Sequence, residues 1–221
     1  MGSFPVELAG RLADRLSLQR AVETGTHEGG TARHLAHTFP TAVTIELSDQ
    51  LYQEARASLG DLGNLELIHG ESSRALAALD HGSVPTLYWL DAHWSSGETA
   101  KAEIESPVLA EIAAISPGHP DDCILIDDAR LFSVSSDPDQ WPTLVQVFDS
   151  LAAHRPDHHV TLLHDLVIAV PGRAKSVVDQ WGSETIWEIV DAAEPARQPA
   201  AAQPGGLRAL AGRIGRALRP G

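Results

Sequence analysis

Short apolar runs alternate along this chain with stretches whose apolar residues recur at helical spacing. Pro5 to Leu18 places Val6, Leu8, Ala9, Leu12 and Leu16 on one stripe behind an early proline, and reads as an amphipathic helix. Strand-like runs follow at 20–23, 42–46, 65–69, 86–91 and 123–127. Helical stretches at 29–38, 49–59, 72–79 and 104–115 separate them, with Ser48 as the expected N-cap of the second. Such alternation with short connections predicts a parallel sheet covered by helices on both faces. The rhythm then changes. Residues 159–164 and 166–170 are two strand-like runs separated by little more than Asp165, too close for a helical crossover. They are expected to pair as an antiparallel hairpin. The expected class is α/β: a doubly wound, mostly parallel seven-stranded sheet with an antiparallel C-terminal hairpin.

Residues 1–193 are read as one domain. From 194 to 206 the chain is mainly Pro, Ala, Gln and Gly, which suits a flexible linker. Leu207, Leu210, Ala211, Ile214 and Leu218 then form a helical stripe with arginines opposite, giving a basic amphipathic tail over 207–221. That tail is either a solvated terminal helix or one that meets a membrane surface or a partner.

Composition narrows the setting. Thirty acids against 16 lysines plus arginines give a formal charge of −14, which argues against a nucleic-acid partner. No apolar run approaches the roughly 20 residues needed to span a bilayer, and no secretion signal is evident. The single cysteine, Cys123, lies inside an apolar run and reads as a small core hydrophobe. A cytoplasmic setting is expected, and association into a homo-oligomer is left open.

The candidate chemistry gathers where strands end. Thr86-Leu-Tyr-Trp-Leu-Asp91-Ala92-His93 and Cys123-Ile-Leu-Ile-Asp127-Asp128 each read as a buried strand that delivers acids to its carboxyl end. In open α/β sheets that end is where ligands bind. Three carboxylates converging there would repel one another without a cation or protons. Upstream, Val22-Glu23-Thr24-Gly25-Thr26-His27-Glu28-Gly29-Gly30 is a strand running into a Gly-rich turn before a helix. It is neither G-x-G-x-x-G nor a P-loop, and its acids suit a cationic or zwitterionic ligand. Glu46 ends the next strand, roughly 20 residues on, where an acid can accept hydrogen bonds from ribose hydroxyls. Gly70-Glu71-Ser72 ends the third strand and serves either as a polar rim for an adenine edge or as a plain helix start.

Glu23-Thr24-Gly25-Thr26 with Gly29-Gly30, Thr44-Ile45-Glu46 and Gly70-Glu71-Ser72 resemble the successive motifs of class I S-adenosylmethionine-dependent methyltransferases. The resemblance covers about residues 5 to 171 and implies a Rossmann-like fold. Asp91 with Asp127-Asp128 is similar to the metal-binding set of Mg²⁺-dependent O-methyltransferases of the macrocin and cephalosporin hydroxylase-like groups. What the resemblance implies is specific. Glu23, Thr24, Gly25, Thr26, Gly29, Glu46, Glu71, Ser72 and Asp91 would border S-adenosylmethionine. Asp91, Asp127 and Asp128 would hold Mg²⁺, or Mn²⁺ in its place. The acceptor would be a small molecule carrying a hydroxyl, such as a sugar or a glycosylated natural product. His93, with Asp91, is the candidate catalytic residue, either as general base or as a further metal ligand. Two other readings remain at this point: a metal hydrolase using Asp91, His93, Asp127 and Asp128, and a non-catalytic cofactor-binding scaffold.

Overall fold

The computed structural model describes residues 4–92, 106–134, 137 and 140–193. Arg20–Thr24 (β1), Thr41–Glu46 (β2), Leu65–His69 (β3), Thr86–Leu90 (β4), Cys123–Ile126 (β5), His158–Leu163 (β6) and Leu166–Pro171 (β7) form one sheet. Their spatial order is β3-β2-β1-β4-β5-β7-β6. Strands β1 to β5 pair in parallel, and β7 runs antiparallel to both β5 and β6. Chain order reverses its direction of travel across the sheet between β1 and β4. That makes their carboxyl ends the natural ligand crevice of a doubly wound sheet.

The helices are Val6–Leu16 (α1), Gly30–Thr38 (α2), Asp49–Leu59 (α3), Ser72–Ala77 (α4), Val108–Ala114 (α5), Leu131–Val134 (α6), Leu144–His154 (α7) and Lys175–Ala193 (α8). The central strands bury both faces, which explains their unbroken apolar runs. Leu87, Trp89, Cys123, Leu125, Ile168 and Val170 face one core with Leu8 and Leu12 of α1 and Leu35 of α2. Tyr88, Leu90, Ile124, Ile126, Val167 and Ala169 face the other, with Ile112 of α5 and Val147 and Leu151 of α7. Cys123 belongs to the first core, where burial pushes its thiol pKa up. Contacts divide the chain into two units, Met1–Gly182, which holds the sheet, and Ser183–Gly221, which is helical as far as Ala193. No described helix is long and apolar enough to cross a membrane.

Several elements differ from the sequence-based expectation. The helix expected over 104–115 begins only at Val108, with Pro107 as its N-cap, because a residue preceding proline is pushed out of the α region. The one expected over 72–79 stops at Ala77. Three helices went unpredicted: α6, α7 and α8. Of these α7 carries a plain signature, a capping box in which Thr143 and Gln146 satisfy each other's backbone amides. Trp141 is a core residue against Phe132 at a ring separation of 6.0 Å. The linker 194–206 and the tail 207–221 lie outside the described residues.

Candidate active site

Where β1 ends, the chain must turn sharply beneath the exit of β4. Gly25 has φ +84, and a Cβ there would sit 2.6 Å from the carbonyl oxygen of Asp91. Only glycine tolerates both the backbone angle and that approach. The Asp91 amide in turn donates to the carbonyl and to Oγ1 of Thr24. Gly29 repeats the device one turn later: its φ is +77, and a Cβ would meet the Leu59 side chain at 2.6 Å. The two glycines therefore lock the turn against β4 and against α3.

Glu23 is almost completely buried, at 1% exposure. Its Oε2 accepts from Thr44 Oγ1 at 2.5 Å, and Thr44 Oγ1 lies 2.6 Å from Thr26 Oγ1. Since Thr44 spends its one proton on Glu23, Thr26 is the donor to Thr44. Burial pushes the Glu23 carboxyl up to about 8, opposed by the hydrogen bonds from Thr44 and Thr31 and reinforced by the charges of Asp91 and Glu46. At neutral pH in the free protein, Glu23 is therefore largely protonated.

Glu46 ends β2 with one oxygen on each neighbouring turn. Oε2 accepts from the His27 amide at 2.9 Å and Oε1 from the Ser48 amide at 2.8 Å. Each carboxylate oxygen keeps a second acceptor position. Thr24, Thr26 and Ser72 are buried around this end of the sheet. Glu71 has a different occupation: it is the N-cap of α4, and its carboxylate takes the amides of Ser73 and Arg74 and the hydroxyl of Ser73. Of the two sequence-based readings, the helix-start role of Glu71 is visible in these bonds.

Asp91 and Asp127 leave adjacent strands at matching heights, since Leu90 pairs with Ile126 and the Asp127 amide donates to the Leu90 carbonyl. Asp127 is buried, and its Oδ1 accepts the amide of Asp128 at 2.8 Å. Asp128 has the left-handed φ of 53 and an Oδ1 2.6 Å from Arg130 Nη1. The three acids are an all-oxygen donor set, which is the chemistry of a hard divalent cation. Their geometry is incomplete: among the described residues no three His, Cys, Asp or Glu side chains form a metal-binding group. The Asp128 carboxylate lies against the Arg130 guanidinium. His93 lies outside the described residues.

Beside Asp127 is a small pocket lined by Leu90, Ala92, Ser106, Glu111, Ile126 and Phe132. Glu111 is a buried acid that sequence reasoning passed over. It falls on the inward face of α5 between Val108 and Ile112, so the available signal was an acid on an apolar stripe.

No protein-family model and no curated protein matches the chain. Solved structures do. The O-methyltransferase TomG from Streptomyces achromogenes, involved in tomaymycin synthesis and solved with S-adenosylmethionine, is 20% identical with a TM-score of 0.56, over 78% of this chain and 82% of that one. An O-methyltransferase from Bacillus cereus, solved with S-adenosylhomocysteine, is 17% identical with a TM-score of 0.54, over 76% and 82%. A methyltransferase from Podospora anserina bound to the same product is 19% identical with a TM-score of 0.54, over 77% and 79%. These likenesses show the fold: a Rossmann-like, mostly parallel sheet with its reversed strand inserted next to the last.

Proposed function

We propose that the chain is an S-adenosylmethionine-dependent O-methyltransferase acting on a hydroxyl of a small molecule, in the class of sugars, glycosylated metabolites and related natural products. The observation that carries this reading is the Gly25 turn at the switch point of the sheet, with Glu23, Glu46 and Asp91 around it. Mutually repelling carboxylates at a crevice suit a ligand bearing positive charge, and the cofactor has both an ammonium and a sulfonium. Glu46 retains acceptor positions for a pair of ribose hydroxyls. The fold shared with solved O-methyltransferases supports the same assignment.

Bound there, the cofactor would supply an electrophilic methyl group whose carbon bonds in line to an acceptor oxygen as its bond to sulfur breaks, the sulfur leaving as the neutral thioether. The chain's part is positioning and charge. Glu23 would give up its proton to face the ammonium as a carboxylate, Glu46 would fix the ribose, and the Gly25 turn lets the ligand lie against backbone. Asp91 and Asp127 face the acceptor side. Together with Asp128 they would hold a divalent cation, which would orient the acceptor oxygen and lower its pKa. The hydroxyl proton leaves to a base, for which His93 is the candidate. The tail at 207–221 would add a membrane or partner contact.

Calorimetric titration of S-adenosylmethionine tests the cofactor assignment. Wild type should bind, while Glu46→Ala, checked for folding by thermal melting, should bind at least tenfold more weakly, a loss of about 1.4 kcal/mol. Equal binding by the two proteins would sink it.

A further inference from the structure

Four described residues other than glycine have a left-handed φ: Ser17, His27, Asp128 and His164. Ser17 ends α1, its amide donating to the Ala13 carbonyl, and His164 makes the tight turn between β6 and β7. The other two, His27 and Asp128, stand in the loops that follow β1 and β5, at the crevice. His27 has φ +48, inside a turn closed by the Gly29 amide on the Thr26 carbonyl at 2.8 Å. A side chain is strained at such an angle where glycine would not be. Residues held that way gather at ligand sites.

The backbone fixes where this residue stands. Its amide donates to Glu46 Oε2 at 2.9 Å, which puts His27 at the rim beside the Glu46 carboxylate, and the residue is exposed. The other side-chain donors around it are turned elsewhere. Thr44 gives its proton to Glu23, Thr26 donates to Thr44, and Thr31 also bonds Glu23. Arg33, the nearest cation along the chain, donates to the Ser58 carbonyl at 2.8 Å. His69, at the end of β3, lies 3.3 Å from the Leu47 carbonyl and 3.2 Å from Asp49, with its ring stacked on Tyr52. Glu23, Glu28, Glu46 and Asp91 are acids, so an anionic group on a ligand meets repulsion from them. Between positions 22 and 31, His27 alone has a nitrogen in its side chain.

We propose that the His27 ring donates a hydrogen bond to the α-carboxylate of the bound cofactor. The turn then reads both charges of an amino-acid end, the ammonium through Glu23 and the carboxylate through His27. An imidazole has a ring N–H in its neutral and its protonated form alike, so it can donate in either. The inference rests on the S-adenosylmethionine reading above and adds to it a demand for a zwitterionic amino-acid end.

Calorimetric titration of the full chain with S-adenosylhomocysteine and with 5′-methylthioadenosine tests it. The second ligand keeps the adenosine and the thioether sulfur but has no amino-acid end. His27→Gly is the informative variant, because glycine takes a φ of +48 without strain and keeps the amide that Glu46 holds. It should weaken S-adenosylhomocysteine about tenfold, the scale of one hydrogen bond to a charged group, and 5′-methylthioadenosine by less than about twofold. His27→Asn tolerates the left-handed angle and keeps an N–H donor, so with S-adenosylhomocysteine it should fall between His27→Gly and wild type. Equal binding of S-adenosylhomocysteine by wild type and His27→Gly would overturn the inference and leave the cofactor assignment standing. A loss of equal size with both ligands would also overturn it, by putting the ring on the nucleoside instead. Wild type that binds neither ligand defeats the S-adenosylmethionine reading itself, and this inference with it.

Discussion

The two ends of the sheet bury acids in opposite ways. At the amino end of β5, Asp122 is fully buried and saturated by the protein itself: Oδ1 accepts the Thr86 amide, and Oδ2 accepts the His119 amide and Arg155 Nη2 at 3.1 Å. Arg155 in turn donates to the carbonyls of Ile115, Pro117 and His119. At the carboxyl end, Glu23 and Glu46 are also buried but held by hydroxyls and amides, with no described cation beside them. The first arrangement closes on itself and needs nothing more. The second has no described cation to answer its acids, and Glu23 keeps its proton instead. A buried acid with an internal guanidinium is architecture, and one held only by dipoles at a ligand crevice is an invitation to a cation.

The contrast can be broken most severely at the structural end. Asp122→Ala leaves the Arg155 guanidinium buried without its carboxylate, and should cost roughly 3–5 kcal/mol in urea unfolding. A loss below about 1 kcal/mol would remove the distinction between the two ends. Gly25→Ala comes next, because its Cβ meets a backbone carbonyl at 2.6 Å at a φ of +84. A cost on the order of 1–3 kcal/mol is expected, together with lost cofactor binding.

Glu23 sharpens the comparison through pH. Its carboxyl titrates near 4.5 when unfolded and is raised by burial to about 8 when folded. Across that interval the native state holds a proton that the unfolded state has lost, so stability falls as pH rises. Asp122, raised by burial to about 6, adds to the slope only at the acid end. His81 and His158, lowered by burial, act only below their ordinary value of 6.5. Between pH 6.5 and 8 the decline should therefore belong to Glu23, at up to about 1.4 kcal/mol per pH unit. Denaturation of Glu23→Gln in that range should show it flattened, and an unchanged slope would contradict the assignment. Cofactor affinity should move the other way in wild type, rising from pH 6.5 to 8.5 as the carboxylate forms. The smallest effect is expected at Glu71. Glu71→Ala removes the α4 cap and should cost about 1 kcal/mol, measurable by thermal melting.

Much of this site was legible in residue order because its parts sit at strand ends. A buried parallel strand shows itself as an unbroken apolar run, so the acid that follows, Asp91 or Asp127, is placed by the pattern alone. Glu23, Gly25, Gly29 and Glu46 were readable for the same reason, and so was the reversed hairpin, since two strands one residue apart cannot be parallel. Glu111 was hidden because an acid on an amphipathic helix is ordinarily assigned to water. Asp122 and Arg155 were hidden because the pair is separated by 33 positions, and neither belongs to a local pattern.

The sequence by itself determined which segments are strands, which face of α1 is buried, and which acids follow the strand ends. All of these follow from periodicity and local chain geometry. Only the tertiary structure decided what each acid does once there. It turned Glu71 to a helix cap, gave Glu46 to two backbone amides, and set Asp128 against Arg130 and the β6–β7 turn. A carboxylate's role depends on what charge and which donors lie within a few ångströms, and those neighbours come from distant parts of the chain.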